Sequence, residues 1–274
     1  MRIADFDPVR IAASGQCFRM TNLPDGSCEV LAKDRYIRIE RGEKNGDFLF
    51  SGMNDETAPG ALSPFWRNYF DLQTDYGKIR ALADPQDSYL RSAVKDGCGL
   101  RILRQDLFET IISFIVTQQN NIPRIRHTIR LLCGWYGKKI AENEEHPAFF
   151  AFPEAEVLAE ADLADLAACS LGYRAEYVKE TSRQIVNKEI VLDEILSLPY
   201  DVAKKKLLQL RGVGAKVADC ICLFARHDTD AFPVDVHIRR ALDLHYPQGF
   251  PYERYAGYAG VMQQYIFFHE ILKP

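Results

Sequence analysis

The stretch from Leu208 to His237 reads LQLRGVGAKVADCICLFARHDTDAFPVDVH. Two glycines, Gly212 and Gly214, flank one apolar residue, and apolar segments run on either side. Glycine reaches backbone angles closed to other residues and leaves its amide uncovered. The pattern therefore predicts a helix, a tight hairpin and a second helix. The start of the second helix adds partial positive charge, so hairpin and helix together suit a phosphate.

Lys216 then opens an apolar run of Val217, Ala218, Cys220, Ile221, Cys222, Leu223 and Phe224. A cation in the first turn opposes the helix dipole. One reading is a snorkelling or phosphate-binding lysine. The other is an amine whose pKa is lowered by partial burial and the helix start, a Schiff-base nucleophile at neutral pH. Asp235 favours the second. It follows Pro233 and precedes Val236-His237-Ile238-Arg239-Arg240, so it caps a helix. A carboxylate held so rigidly also orients an amine, takes its proton and stabilises a developing cation. His237, in the first turn of that helix, either contacts a phosphate or is structural.

Upstream, Ser197 is the expected N-cap of the helix leading into the hairpin, and Lys204, Lys205 and Lys206 give that helix a basic patch. Gly172 closes an earlier helix. Tyr173 and Arg174 follow it in a tight turn, which is either a packed loop or a wedge for a base stack. Asp106 and Glu109 make a capping-box pattern before an apolar helix that belongs at the centre of a helical domain. That helix ends in Gln118-Gln119-Asn120-Asn121, either an Asn-capped terminus or a polar cluster reaching into a duplex. Pro123 fits the first turn of the next helix. Arg101, Arg104, Arg124, Arg126, Arg130, Lys138 and Lys139 outnumber Asp106 and Glu109 here, giving another basic patch. Downstream, a long helix is expected from Tyr252 to Leu272, with Gln263, Gln264 and Phe267 in its centre; Phe267 taken alone reads as core.

The N-terminal part differs. Glu29-Val30-Leu31 and Tyr36-Ile37-Arg38-Ile39, bounded by turn residues, predict an antiparallel meander, with Asn45-Gly46 as a two-residue turn. Gly15 marks a simple turn or a close approach of backbone to a ligand. Asp96-Gly97-Cys98-Gly99 is the expected boundary. The fold class is α+β: an N-terminal antiparallel sheet domain with flanking helices over 1–98, then an all-α helix-hairpin-helix domain over 99–274.

The 274 residues, 47% hydrophobic, are ample for a sizeable core. A net charge of −4 means that any nucleic-acid site must rest on local charge. The cysteines, Cys17, Cys28, Cys98, Cys133, Cys169, Cys220 and Cys222, show neither zinc spacing nor a disulfide framework, which fits a reduced, cytoplasmic setting. No signal-peptide pattern opens the chain, and no apolar run reaches membrane-spanning length.

At these residues the chain resembles the helix-hairpin-helix, Gly-Pro-Asp superfamily of DNA glycosylases, and within it the 8-oxoguanine DNA glycosylase/AP lyase branch. The matches are Gly15-Gln16-Cys17-Phe18-Arg19, Leu103-Arg104-Gln105-Asp106, Ser113-Phe114-Ile115 with Asn120-Asn121-Ile122, and Leu171-Gly172-Tyr173-Arg174. The most specific are Gly212-Val213-Gly214-Ala215-Lys216-Val217-Ala218-Asp219-Cys220-Ile221-Cys222 and Pro233-Val234-Asp235-Val236-His237. They span nearly the whole chain in order.

The resemblance implies roles. Lys216 would attack the sugar C1′ with help from Asp235. Gly15 would offer its carbonyl to the N7–H that 8-oxoguanine has and guanine lacks. Cys220 and Phe267 would sandwich the flipped base, and Gln263 would read its Watson–Crick edge. Tyr173 would wedge the duplex, while Asn120, Arg124 and Arg174 would address the orphaned cytosine. Gly212 and Gly214 would grip the backbone, and His237 would touch a phosphate. Carbonyls of Leu208, Leu210 and Val213 would hold a monovalent cation. No catalytic cofactor is implied. The iron–sulfur relatives need four cysteines after the Asp motif, and none follows Cys222, so no cluster is expected. The implied partner is double-stranded DNA with an oxidised purine opposite cytosine, met by a monomer acting with the chromosomal DNA.

Two positions depart from the branch. Gln119 stands where the first Asn of an Asn triplet is usual, and Arg211 replaces the usual hairpin proline. A monofunctional glycosylase for alkylated bases is the nearest rival, but it would activate water and lack the lysine. A non-catalytic DNA-binding module would need neither Lys216 nor Asp235.

Overall fold

The computed structural model describes residues 1–44, 46–53, 62–143 and 146–273. Helix α1 (Pro8–Ala13) starts at Asp7, whose carboxylate accepts the Val9 and Arg10 amides. Strands β1 (Met20–Asn22), β2 (Cys28–Ala32), β3 (Arg35–Arg41) and β4 (Phe48–Met53) follow as one antiparallel sheet in that order. Alternation turns Cys28, Val30 and Ala32 inward on β2, and the register sets Val30 opposite Ile37. β3 and β4 pair out to Arg41 and Phe48, so their connection is longer than the two-residue turn expected. Asn45 itself lies outside the described residues. Ser63, Asp75 and Asp87 then cap α2 (Pro64–Tyr69), α3 (Tyr76–Ala81) and α4 (Ser88–Asp96).

Helix α5 (Leu107–Val116) is buried throughout its second half, as its apolar composition requires. Asp106 accepts the Glu109 amide at 3.0 Å, but the Glu109 side chain does not close the capping box. It is buried and pairs with Arg19 at 3.1 Å. An unpaired guanidinium there would cost more than a missing half-cap. Asn121 caps α6 (Ile122–Tyr136). A two-stranded hairpin, β5 (Lys139–Asn143) with β6 (His146–Phe150), interrupts the helical part.

Helices α7 (Ala155–Glu160) and α8 (Leu163–Leu166) lead to a wider turn ending at Leu171, and Gly172 at φ +56 stops it. Then come α9 (Arg174–Val186), α10 (Leu192–Ser197), α11 (Tyr200–Leu207), α12 (Ala215–Ile221), α13 (Val236–His245) and α14 (Ala259–Ile271). Ser197 ends α10 instead of capping α11, because its hydroxyl donates to the Glu194 carbonyl of its own helix. The long helix expected from Tyr252 is also broken. A 3-10 turn, Tyr252–Tyr255, precedes α14, and Gly257 at φ +88 separates them. One continuous apolar core runs from the sheet into the helices, and α14 packs on α4. Arg101 fastens the two parts, donating to the Ala4, Asp5 and Asp71 carbonyls. Among the described residues no helix is long and apolar enough to cross a membrane.

Candidate active site

The link between α11 and α12 is a glycine hairpin. Gly212 adopts φ +82, and a Cβ there would lie 2.8 Å from the Tyr177 ring, so only glycine fits. Three side chains hold the hairpin down. The Thr181 hydroxyl donates to the Arg211 carbonyl at 2.6 Å, Gln184 accepts the Arg211 amide at 2.9 Å, and Gln118 donates to the Gly212 carbonyl at 2.8 Å. Gly214 is exposed at the start of α12. The Leu210 carbonyl accepts the Val213 amide at 3.1 Å. Among the described residues no backbone donor reaches the carbonyls of Leu208 or Val213.

A cavity of about 50 Å³ brings together Gly15, Lys216, Cys220, Asp235, Gln263 and Phe267. Lys216, half-buried in the first turn of α12, holds its ammonium 5.3 Å from the centre of the Phe114 ring. Asp235 is the N-cap of α13, one oxygen accepting the Ile238 amide at 2.8 Å. Burial pushes the Cys220 thiol up to about 11, against the weaker opposing pull of the Lys216 ammonium. Gln263 is buried; its amide donates to the Pro233 carbonyl at 2.9 Å, and its Oε1 is buried without a partner. Such an acceptor is costly unless a ligand completes it.

Gly15 sits at φ +72 against Phe267, whose ring edge lies 3.2 Å from where a Cβ would be. Phe267 in turn meets the exposed His237 edge to face, with ring centres 6.0 Å apart. The cavity has room for water but not for a purine, and the Phe267 ring forms part of its wall.

The residues expected to meet DNA are less uniform. Tyr173 is 49% exposed, as a wedge requires. Arg124 is exposed. Arg174 is buried and donates to the carbonyls of Gln118 and Gln119, just past the end of α5, so its guanidinium is engaged within the protein. Asn120 has both ends of its amide satisfied, by the Val116 carbonyl and the Asn121 amide. Its neighbour Gln119 is exposed at φ +47. Both basic patches shrink on inspection. Lys204 pairs with Asp219 and Lys206 with Glu194, each at 2.6 Å. Arg101 is buried, Arg104 pairs with Asp71, and Arg126 donates to the Ala12 carbonyl.

Sequence reasoning missed several supports. Gln264 is buried and donates to the Ser14 carbonyl at 2.7 Å, fixing the loop that carries Gly15. Two adjacent amides in an apolar helix were a usable signal. Gln118, whose amide donates to the Gly212 carbonyl and whose carbonyl accepts from the Arg174 guanidinium, gave none for these partners, because both lie far along the chain.

Residues 1–111 match the family model for the 8-oxoguanine DNA glycosylase N-terminal domain, and residues 112–248 match that for HhH-GPD superfamily base excision DNA repair proteins. A probable N-glycosylase/DNA lyase of Methanothermobacter thermautotrophicus is 34% identical over 73% of this chain and 72% of its own length. An N-glycosylase/DNA lyase of Saccharomyces cerevisiae is 31% identical over 84% of this chain; the match spans 65% of the yeast protein. The solved structure of Clostridium acetobutylicum 8-oxoguanine glycosylase/lyase, bound to duplex DNA with cytosine opposite 8-oxoguanine, superposes with a TM-score of 0.88 at 33% identity. It covers 97% of this chain and 92% of that one.

Proposed function

The chain belongs to the HhH-GPD superfamily of base excision DNA repair proteins, in its 8-oxoguanine DNA glycosylase branch, and on that premise we propose that it excises 8-oxoguanine from duplex DNA and nicks the strand as an AP lyase. The observation that carries this reading is the single cavity shared by Lys216, Asp235, Gly15, Cys220, Gln263 and Phe267. A base in the stack is inaccessible to it, so the damaged nucleotide must flip out, at a cost of a few kcal/mol. Tyr173 filling the gap and phosphate contacts at Gly212, Gly214 and His237 offset that cost. Phe267 has to swing aside, and it then covers one face of the base while Cys220 covers the other.

The site offers acceptors to the base. Gln263 Oε1 suits the N–H groups of a purine Watson–Crick edge, and the Gly15 carbonyl suits the N7–H of 8-oxoguanine. In the reaction, the Lys216 amine attacks C1′ as the bond to N9 breaks, and the base leaves with a proton. Asp235 stabilises the cationic sugar, takes the proton that the amine loses on attack and gives it to the departing base. The sugar ring opens to an imine on Lys216. Loss of a C2′ proton then expels the 3′ phosphate, which nicks the strand. Carbonyls of Leu208, Leu210 and Val213 would hold a monovalent cation, which supplies positive charge beside the gripped phosphate. The reading has the protein act as a monomer within the cell, on chromosomal DNA.

The test is a panel of end-labelled duplexes. Strand cleavage is expected at 8-oxoguanine opposite cytosine and not at undamaged guanine. Release of an alkylated base without any nick, and no action on 8-oxoguanine, would instead favour the monofunctional rival.

A further inference from the structure

We propose that Arg211 is an additional contact for the DNA backbone, carried on the Tyr177 ring beside the Tyr173 wedge. The inference rests on the DNA-glycosylase reading above and extends it to a residue whose position in the branch is ordinarily a proline.

Of the three lysines before the hairpin, Lys204 and Lys206 are neutralised by Asp219 and Glu194, which leaves Lys205, exposed on α11. Arg211, at the hairpin itself, is exposed and has no carboxylate partner among the described residues. Its guanidinium lies 5.5 Å from the centre of the Tyr177 ring, a cation–π arrangement that orders the side chain while leaving its N–H groups open to solvent. Its backbone is equally fixed, through Thr181 and Gln184.

Tyr177 is a shared platform. Gly212 packs against its ring, and Tyr173 meets it edge-on with centres 5.8 Å apart. The phosphate-gripping hairpin, the wedge and the free guanidinium therefore stand on one side chain of α9. A duplex seated on the hairpin with Tyr173 in its stack brings a backbone phosphate to Arg211. The guanidinium fork matches phosphate oxygens. Arg211 is a positioning and binding residue, and no chemistry passes through it.

The experiment measures equilibrium binding to undamaged duplex and to duplex holding a non-cleavable abasic analogue, across a salt series. Arg211→Ala is expected to weaken both about fivefold and to lower the slope of log affinity against log salt by about 0.9, the signature of one lost phosphate contact. Arg211→Lys should keep the slope. Arg211→Gln, which keeps the backbone amide that Gln184 accepts, should keep the fold and show the same loss, and so decides the matter if the alanine variant misfolds. Wild-type affinity and slope in both neutral variants would overturn the assignment to Arg211 alone. If wild-type protein binds neither duplex, the glycosylase reading fails with it.

Discussion

Asp235 uses one oxygen to cap α13 and has a second available to the cavity it shares with Lys216. Asparagine caps a helix about as well as aspartate. Asp235→Asn should therefore keep fold and DNA binding while slowing single-turnover base release by roughly 100-fold or more. An unchanged rate would remove Asp235 from the chemistry. The pair was legible in sequence because a lysine at an apolar helix start and an acid after proline are each odd locally. The bonding of the amides after α5 within the protein was not. Asn120 looked available, yet its amide is satisfied within its own turn, and the exposed amide belongs to Gln119. With cytosine, thymine, adenine and guanine opposite the lesion, Gln119→Ala should change the preference more than Asn120→Ala does. The reverse order would return the role to Asn120.

At the scale of elements, the hairpin depends on its fit to α9. Gly212→Ala would put a methyl 2.8 Å from the Tyr177 ring at a left-handed φ. The backbone term alone costs roughly 1–2 kcal/mol, and the hairpin must shift to relieve the contact. DNA affinity should fall well beyond the loss of thermal stability, as paired binding and melting measurements would reveal. An affinity unchanged from wild type would mean that the hairpin does not grip the duplex. Helix starts were partly readable here, since Asp106 and Asp235 each cap where the side chain and the following apolar run predict, whereas Asn121, expected at the end of α5, caps the start of α6. Failures came where a tertiary partner outbid a local one. Glu109 left its capping box for Arg19, and Lys204 and Lys206 of α11 found carboxylates on α12 and α10.

Over the whole molecule, the sheet and the helices are joined by contacts that no local pattern announces. Asp71, after α2, is buried and accepts the Tyr76 hydroxyl at 2.9 Å and Arg104 at 3.0 Å. His227, just past the turn that continues α12, reaches it at 3.2 Å. Burial opposes the charge on Asp71, but the hydrogen bond and charge of His227, then Thr74 and Arg104, hold its carboxyl down to about 2, against an ordinary 3.8. The difference is worth about 2 kcal/mol. Because the folded carboxyl titrates below the unfolded one, that stability is complete above about pH 4 and is lost as pH falls toward 2. Denaturant midpoints should show Asp71→Asn less stable at neutral pH, with the gap closing over that acid range. A gap that ignores pH would assign the loss to packing. The proposed reaction turns on one covalent event, an imine at Lys216. The most direct measurement incubates the protein with duplex holding 8-oxoguanine opposite cytosine and adds borohydride. A reduced protein–DNA adduct should form with wild type and be absent with Lys216→Ala; wild type that releases the base without forming an adduct, or Lys216→Ala that still traps, would contradict the assignment of the nucleophile.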